Sequence, residues 1–398
     1  MPRILFLIFM IISSTIAVAA KVMPTRTAAF KQTQNTSGTA EERYTKLGDD
    51  YYRQKDYRSA IAQYDLALRV NPNSARVLYW KGFAQISLDQ PNEALATFTR
   101  LLRVAPADPA SHYAAGYAYA ILGRHQNAIS EYRQAVTLNP NFAEAHALLG
   151  DSLVSVADYR NAITSYQTAA KLKPDNEFAW RGLSLAYGRI GLYDEAISAA
   201  KKLISIAPTR VDAYSSLCWY YSLTDQYQAA VEAGRLAVTN APDNYMGYTN
   251  LCRAYNDLSR YKDAIDTCNR ALVLKPGDGE TNFYLGRAYK GSNQPARAPA
   301  LFQKAVSGLL EFIKERPNDA DGYYLLGNAY NETGQDELAI RSYTKAIELK
   351  PRFPQARYNL GVTLCILGRK KEALDQEALL KTIDTTRAAR LLQIIKSQ

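Results

Sequence analysis

Residues 41–74 read EERYTKLGDDYYRQKDYRSAIAQYDLALRVNPNS, and residues 75–108 read ARVLYWKGFAQISLDQPNEALATFTRLLRVAPAD. The two share a skeleton: Gly48 and Gly82, Ala60 and Ala94, Tyr64 and Phe98, Pro72 and Pro106, each 34 residues apart. The step continues through Gly116 and Gly150, through Ala128, Ala162, Ala196, Ala230, Ala264 and Ala298, and through the prolines from Pro140 to Pro276. A fixed period of this length marks a solenoid, in which each unit buries its apolar face against its neighbours.

Within a unit, positions 4, 7, 8 and 11 share one face of a first helix, and positions 20, 24 and 27 one face of a second. Position 8 is Gly in seven units and Ser184, Cys218 or Cys252 in three; position 20 is Ala in all ten. Small residues at both places let two antiparallel helices approach closely. The Pro near each unit's end stops the second helix and introduces the next first helix.

The run Leu47-Gly48, Tyr51, Ala60, Tyr64, Ala67 and Pro72 resembles the tetratricopeptide (TPR) repeat pattern. The resemblance recurs ten times, at Glu41, Ala75, Pro109, Ala143, Glu177, Val211, Tyr245, Gly279, Ala320 and Pro354, and covers residues 41–382. It implies an all-α TPR solenoid, a right-handed superhelix of antiparallel helix pairs. Residues 383–398 are expected to form a capping helix, with Ala388, Leu391, Leu392 and Ile395 inward and Arg387, Arg390 and Lys396 in water.

Residues 1–20 read as a secretory signal: Arg3, an apolar run from Ile4 to Ile12, and a small-residue site at Ala17-Val18-Ala19. An uncleaved membrane anchor is the alternative. Residues 21–40, rich in Thr, Ser and Gln, read as a flexible linker. The protein is therefore expected to be exported, periplasmic or secreted, or membrane-anchored if the segment is retained. The net charge of +10 is concentrated towards the two ends. For an exported chain this suits an acidic partner or an anionic membrane surface better than nucleic acid.

No metal or cofactor is expected. His112 and His146 both fall at position 4, a packing position, and no carboxylate or Cys joins them at ligand spacing. Phosphate-binding, nucleophile-elbow and zinc-protease motifs are missing from the sequence, and the repeats leave no length for a separate catalytic domain. The reading is a non-enzyme. The four Cys read as buried small residues. Cys252 and Cys268 share one unit on facing helices, which leaves a bridge as the alternative.

The resemblance implies that first helices line a concave groove, reached from positions 2, 5, 9 and 12. Two clusters occupy those positions. Tyr79, Phe83, Tyr113 and Tyr117 form an aromatic run suited to anchoring a ligand. Arg253, Asn256, Arg287, Lys290, Asn328 and Asn331 form a basic, amide-rich stretch suited to an extended, acidic peptide. Trp219 sits at the same kind of position in a variant block, units 5 to 7, where position 24 shrinks to Ala200, Gly234 and Cys268 as position 8 grows. Seven extra residues lengthen the second helix of unit 8. Together these features suggest an exported scaffold for protein or peptide partners in assembly or transport at the cell envelope. The alternative is a binder of glycans or cell-wall fragments through its Tyr-rich groove.

Overall fold

A computed structural model describes residues 38–397; the expected signal and nearly all of the expected linker lie outside the described residues. Among the described residues there are 21 α-helices, one short 3-10 turn and no strand. The chain divides into two compact units, the first ending at Leu183 and the second beginning at Ser184.

In the first unit the helices pair in chain order. They are α1 (Ala40–Arg53) with α2 (Tyr57–Val70), α3 (Ala75–Ser87) with α4 (Pro91–Val104), α5 (Pro109–Ile121) with α6 (His125–Leu138), and α7 (Ala143–Ser155) with α8 (Tyr159–Leu172). α9 (Glu177–Arg189) carries the chain across the boundary. In the second unit follow α10 (Tyr193–Ile206), α11 (Val211–Leu223), α12 (Tyr227–Asn240), α13 (Tyr245–Asp257), α14 (Tyr261–Leu274), α15 (Gly279–Gly291), α16 (Ala298–Glu315), α17 (Ala320–Glu332), α18 (Asp336–Leu349), α19 (Pro354–Ile366), α20 (Lys370–Leu380) and α21 (Thr385–Ser397).

Each pair is set by one crossing. A Cβ placed on Gly48 would lie 2.6 Å from the Tyr64 ring, and one on Gly150 would lie 2.7 Å from the Tyr166 ring. The same clash recurs between Gly116 and Tyr132, Gly286 and Phe302, and Gly327 and Tyr343. Tyr64, Tyr132 and Tyr343 are fully buried there. An aromatic ring on the second helix thus fills the space that the absent side chain on the first leaves open, at the close packing of protein interiors.

The variant block solves the same crossing differently. Opposite Gly234 stands the Cys218 sulfur, which a Cβ there would meet at 3.1 Å. In the next unit Cys252 and Cys268 are joined by a disulfide, with their Cα atoms 5.3 Å apart. Of the expected four buried thiols, only Cys218 and Cys365 are free. The bridge replaces a Gly–aromatic contact with a covalent one of similar reach. In the last unit Gly361 faces Leu391 of α21 instead.

Position 4 has a polar duty besides filling space. The side chains of His112, His146, Trp180, Tyr248 and Arg357 each reach back six residues to the carbonyl of Pro106, Pro140, Pro174, Pro242 and Pro351 respectively. A ring or guanidinium N–H, or a phenol O–H, serves equally well, which is why such different residues share the site. No group of three or more metal-ligating side chains occurs among the described residues.

The turn inside each pair needs a left-handed residue. Lys55, Asp89, Gly123, Ala157, Gly191, Asp225, Ser259, Gly334 and Gly368 all have positive φ at the same position of their units. Unit 8 is the exception: Pro295–Arg297 form the 3-10 turn there, before α16. The extra residues extend the C-terminal end of α16, whose Phe312 and Ile313 pack over Gly322 of α17. No described helix is long and apolar enough to cross a membrane.

The second unit closes on itself. Gln355 donates from Nε2 to the Leu223 carbonyl at 2.7 Å, and Arg189 pairs with Asp319 at 3.2 Å. Lys350, almost wholly buried, pairs with Asp321 at 2.7 Å and lies 5.8 Å from the Tyr193 ring. Gly191 presses against the Arg352 carbonyl. The Arg189–Asp319 and Gln355–Leu223 contacts join helices about 130 residues apart in sequence. The unit is therefore a closed turn and not an open trough.

Two outcomes test this packing. Gly123→Ala, with open space around it, carries only the backbone cost of a left-handed alanine, about 1 kcal/mol. Gly191→Ala also collides with the Arg352 carbonyl, so its midpoint in chemical denaturation should fall further than that of Gly123→Ala. Alkylation of the unfolded chain without reductant should label two thiols, Cys218 and Cys365, and with reductant four. Four labelled thiols without reductant would refute the bridge.

Candidate functional site: a cavity in the second unit

The aromatic run of the first unit is not a free surface. Tyr79, Tyr113 and Tyr117 are 6%, 4% and 1% exposed, and Phe83 is half-buried. Phe83 joins Tyr79 at 4.8 Å and Tyr117 at 5.7 Å between ring centroids, while Tyr113 packs on Phe142 at 5.0 Å. Burial pushes the Tyr79, Tyr113 and Tyr117 hydroxyls well above their ordinary range. The expectation of an exposed aromatic groove is corrected: these rings zip successive first helices together. Sequence spacing places a residue beside the buried stripe, but the small alanines around them (Ala84, Ala114, Ala118) let neighbouring helices close over the rings.

The basic stretch divides. Arg253, Arg287, Asn328 and Asn331 line one cavity of about 560 Å³ inside the closed second unit. Asn256 lies below it, buried, donating from Nδ2 to the Cys252 and Tyr284 carbonyls at 3.1 and 3.0 Å. Lys290 is exposed and held by Glu332 at 2.6 Å. Trp219 supports Arg253, whose guanidinium carbon lies 3.7 Å from the ring centroid. That stacking is a cation–π contact in a desolvated place, where such contacts are strongest.

On the cationic wall, Asp257 of α13 sits between two arginines, 3.8 Å from Arg253 and 3.4 Å from Arg287. Burial raises the Asp257 carboxyl above its ordinary range, while the two arginines pull it down. On the opposite wall the amides are wired together. Asn328 Oδ1 accepts from Tyr343 Oη at 2.8 Å and from Asn359 Nδ2 at 2.7 Å. Asn331 Nδ2 donates to Tyr343 Oη at 3.0 Å and to Thr363 Oγ1 at 2.9 Å. Such a network fixes amide orientation before any ligand arrives.

The third side comes from α21. Arg387 forks onto Asp225 at 3.1 and 3.2 Å and also pairs with Asp384. It is 17% exposed and not in open water as expected. Arg390, one turn later, also lines the cavity. Asp257, Asn359, Arg387 and Arg390 escape a reading by groove positions. Asn359 has a sequence signal, an Asn at position 6 shared with Asn250; Asp257 lies one turn after Arg253 on α13, and Arg387 and Arg390 join the site only when the turn closes.

Near this site, Glu280 is a half-buried acid whose Oε1 is shielded from water and has no hydrogen-bond partner. Burial first, and then Asp278, push its carboxyl from 4.5 up to about 8. The folded state therefore holds this proton between those pH values while the unfolded state releases it, so Glu280 weakens folding as pH rises from about 4.5 to about 8. Glu280→Gln should raise the melting midpoint at pH 8 and leave it little changed at pH 4. An equal effect at both pH values would refute the buried proton.

Comparison with known proteins agrees with the helix pairs. The family model described as "TPR repeat" matches residues 48–89, 116–156 and 327–368. Two models described as "Tetratricopeptide repeat" match residues 147–211 and 224–279, and residues 75–108. No curated protein matches the chain. Among solved structures, MamA is 27% identical over 41% of this chain and 95% of its own, with a TM-score of 0.39. YrrB, described as a TPR protein with an unusual peptide-binding site, is 20% identical over 46% of this chain and 95% of its own, with a TM-score of 0.42. A tetratricopeptide repeat protein from Parabacteroides merdae is 18% identical over 63% of this chain and 99% of its own, with a TM-score of 0.46. With family models matched in succession along more than half of its length, this chain belongs to the tetratricopeptide repeat family.

Proposed function

We propose that this protein is an exported scaffold whose second unit holds a segment of a protein partner, in assembly or transport at the cell envelope. The observation that carries the reading is the cavity itself, in which pre-oriented amides (Asn328, Asn331 and Asn359) face a site also lined by arginines. Amide side chains both donate and accept, as an extended peptide backbone does. Arginines supply forked donors for its carboxylates. No reaction is proposed, since the features point to holding a partner.

Export is supported by residues 1–20 and by the Cys252–Cys268 bridge, because disulfides persist in oxidising compartments and are rare in reducing ones. The positive net charge would favour an acidic partner or an anionic membrane surface. The glycan reading loses the support of Tyr79, Tyr113 and Tyr117, which are buried in the first unit.

A photo-crosslinking residue in place of Tyr358, which lines the cavity, should capture polypeptide from an envelope fraction. The same residue at Val273, 71% exposed and outside the cavity, should not. Equal capture at both positions, or a thermal shift with oligosaccharides and none with peptides, would overturn the reading. Fractionation with N-terminal sequencing tests export separately.

A further inference from the structure

The terminal helix α21 is more than a cap over the last apolar face. Ala388, Leu391 and Ile395 are buried against the solenoid, as a cap requires. Arg387 and Arg390 lie one turn apart on the same helix, and both line the cavity. Their situations differ. Arg387 is committed to Asp225 and Asp384. Among the described residues Arg390 has no hydrogen bond or ion pair, and it is exposed.

The other cations around the cavity each have an acid beside them. Asp257 is shared by Arg253 and Arg287, Asp225 belongs to Arg387, and Glu332 belongs to Lys290. Arg390 alone of the lining arginines lacks an acidic partner. An unpaired guanidinium on the lining of this cavity, which also carries tyrosines and amides, is a donor fork open to an acceptor. The Asp225–Arg387 pair holds α21 against a turn 162 residues earlier in sequence and so fixes where Arg390 stands.

We infer that Arg390 is the residue that selects the ligand of this cavity, by binding a carboxylate side chain of an otherwise uncharged peptide segment. The inference rests on the peptide-holding reading above and names its chemistry. One acid per segment matches the one lining arginine that has no acid beside it. Arg387 acts as a positioning residue, and Lys396 on the same helix, exposed and outside the cavity, has no part in recognition.

The test uses the full chain, immobilised, and two ten-residue peptide pools. The pools are random in uncharged residues and carry one fixed Glu or one fixed Gln. The wild-type protein should retain the Glu pool about tenfold better, the worth of one charge-assisted hydrogen bond. Arg390→Gln should bring that ratio to about one while leaving the melting midpoint unchanged; Arg390→Lys should keep most of the preference, and Lys396→Gln all of it. Glu and Gln pools retained equally by the wild type would overturn the role of Arg390 but leave peptide holding intact. A preference that survives Arg390→Gln would do the same. Retention of neither pool would overturn both readings. A melting midpoint lowered by Arg390→Gln would show a structural role and count against the inference.

Discussion

The fold depends on one contact, made again in six of the ten repeats: a glycine on the first helix and a ring on the second. Gly48 under Tyr64 and Gly327 under Tyr343 are the same solution almost 280 residues apart. The contact sets the separation of the two helices, and the invariant Ala at position 20, fully buried, lets the second helix follow. Because every pair has the same spacing, neighbouring pairs meet with matching surfaces. Stability then accumulates from neighbour to neighbour. Where the ring is lost, the chain supplies something else of the same reach: a cysteine against Gly234, a disulfide between Cys252 and Cys268, or Leu391 against Gly361.

The second unit adds a constraint that the repeat does not contain. Polar and backbone contacts tie α9 and α11 to α17 and α19, and α21 to the turn at Asp225. Several of these groups are barely exposed: Lys350 at 1% and Gln355 at 7%. Buried polar groups cost stability unless they are satisfied, so such pairings specify one closure over others. The closure creates the cavity. It gathers arginines, amides and tyrosines from repeats that are distant in sequence.

Sequence spacing marks Arg253, Arg287, Asn328 and Asn331 as a group, and the closed turn places all four around one cavity. It misjudges the aromatic group, because positions beside a buried stripe are open only if the next helix stays away. Around Tyr113 and Tyr117 the next helix does not, since alanines let it come close. It also misses Asp257, Arg387 and Arg390. The Asp225 partner of Arg387, and with it the place of Arg390, is set by the curvature of a whole unit, and curvature is a sum of small angles that no single repeat displays.

The sequence by itself determined the helix pairs, their crossings, the stops between them and the family. These are local consequences of side-chain volume and period, repeated until the signal is unmistakable. Only the tertiary structure decided which groove positions are covered, that Cys252 and Cys268 meet as a bridge, and that the second unit closes around a cavity with Arg390 at its wall. Those outcomes depend on how many small rotations add up over six units. The same residues on a slightly straighter stack would face open water.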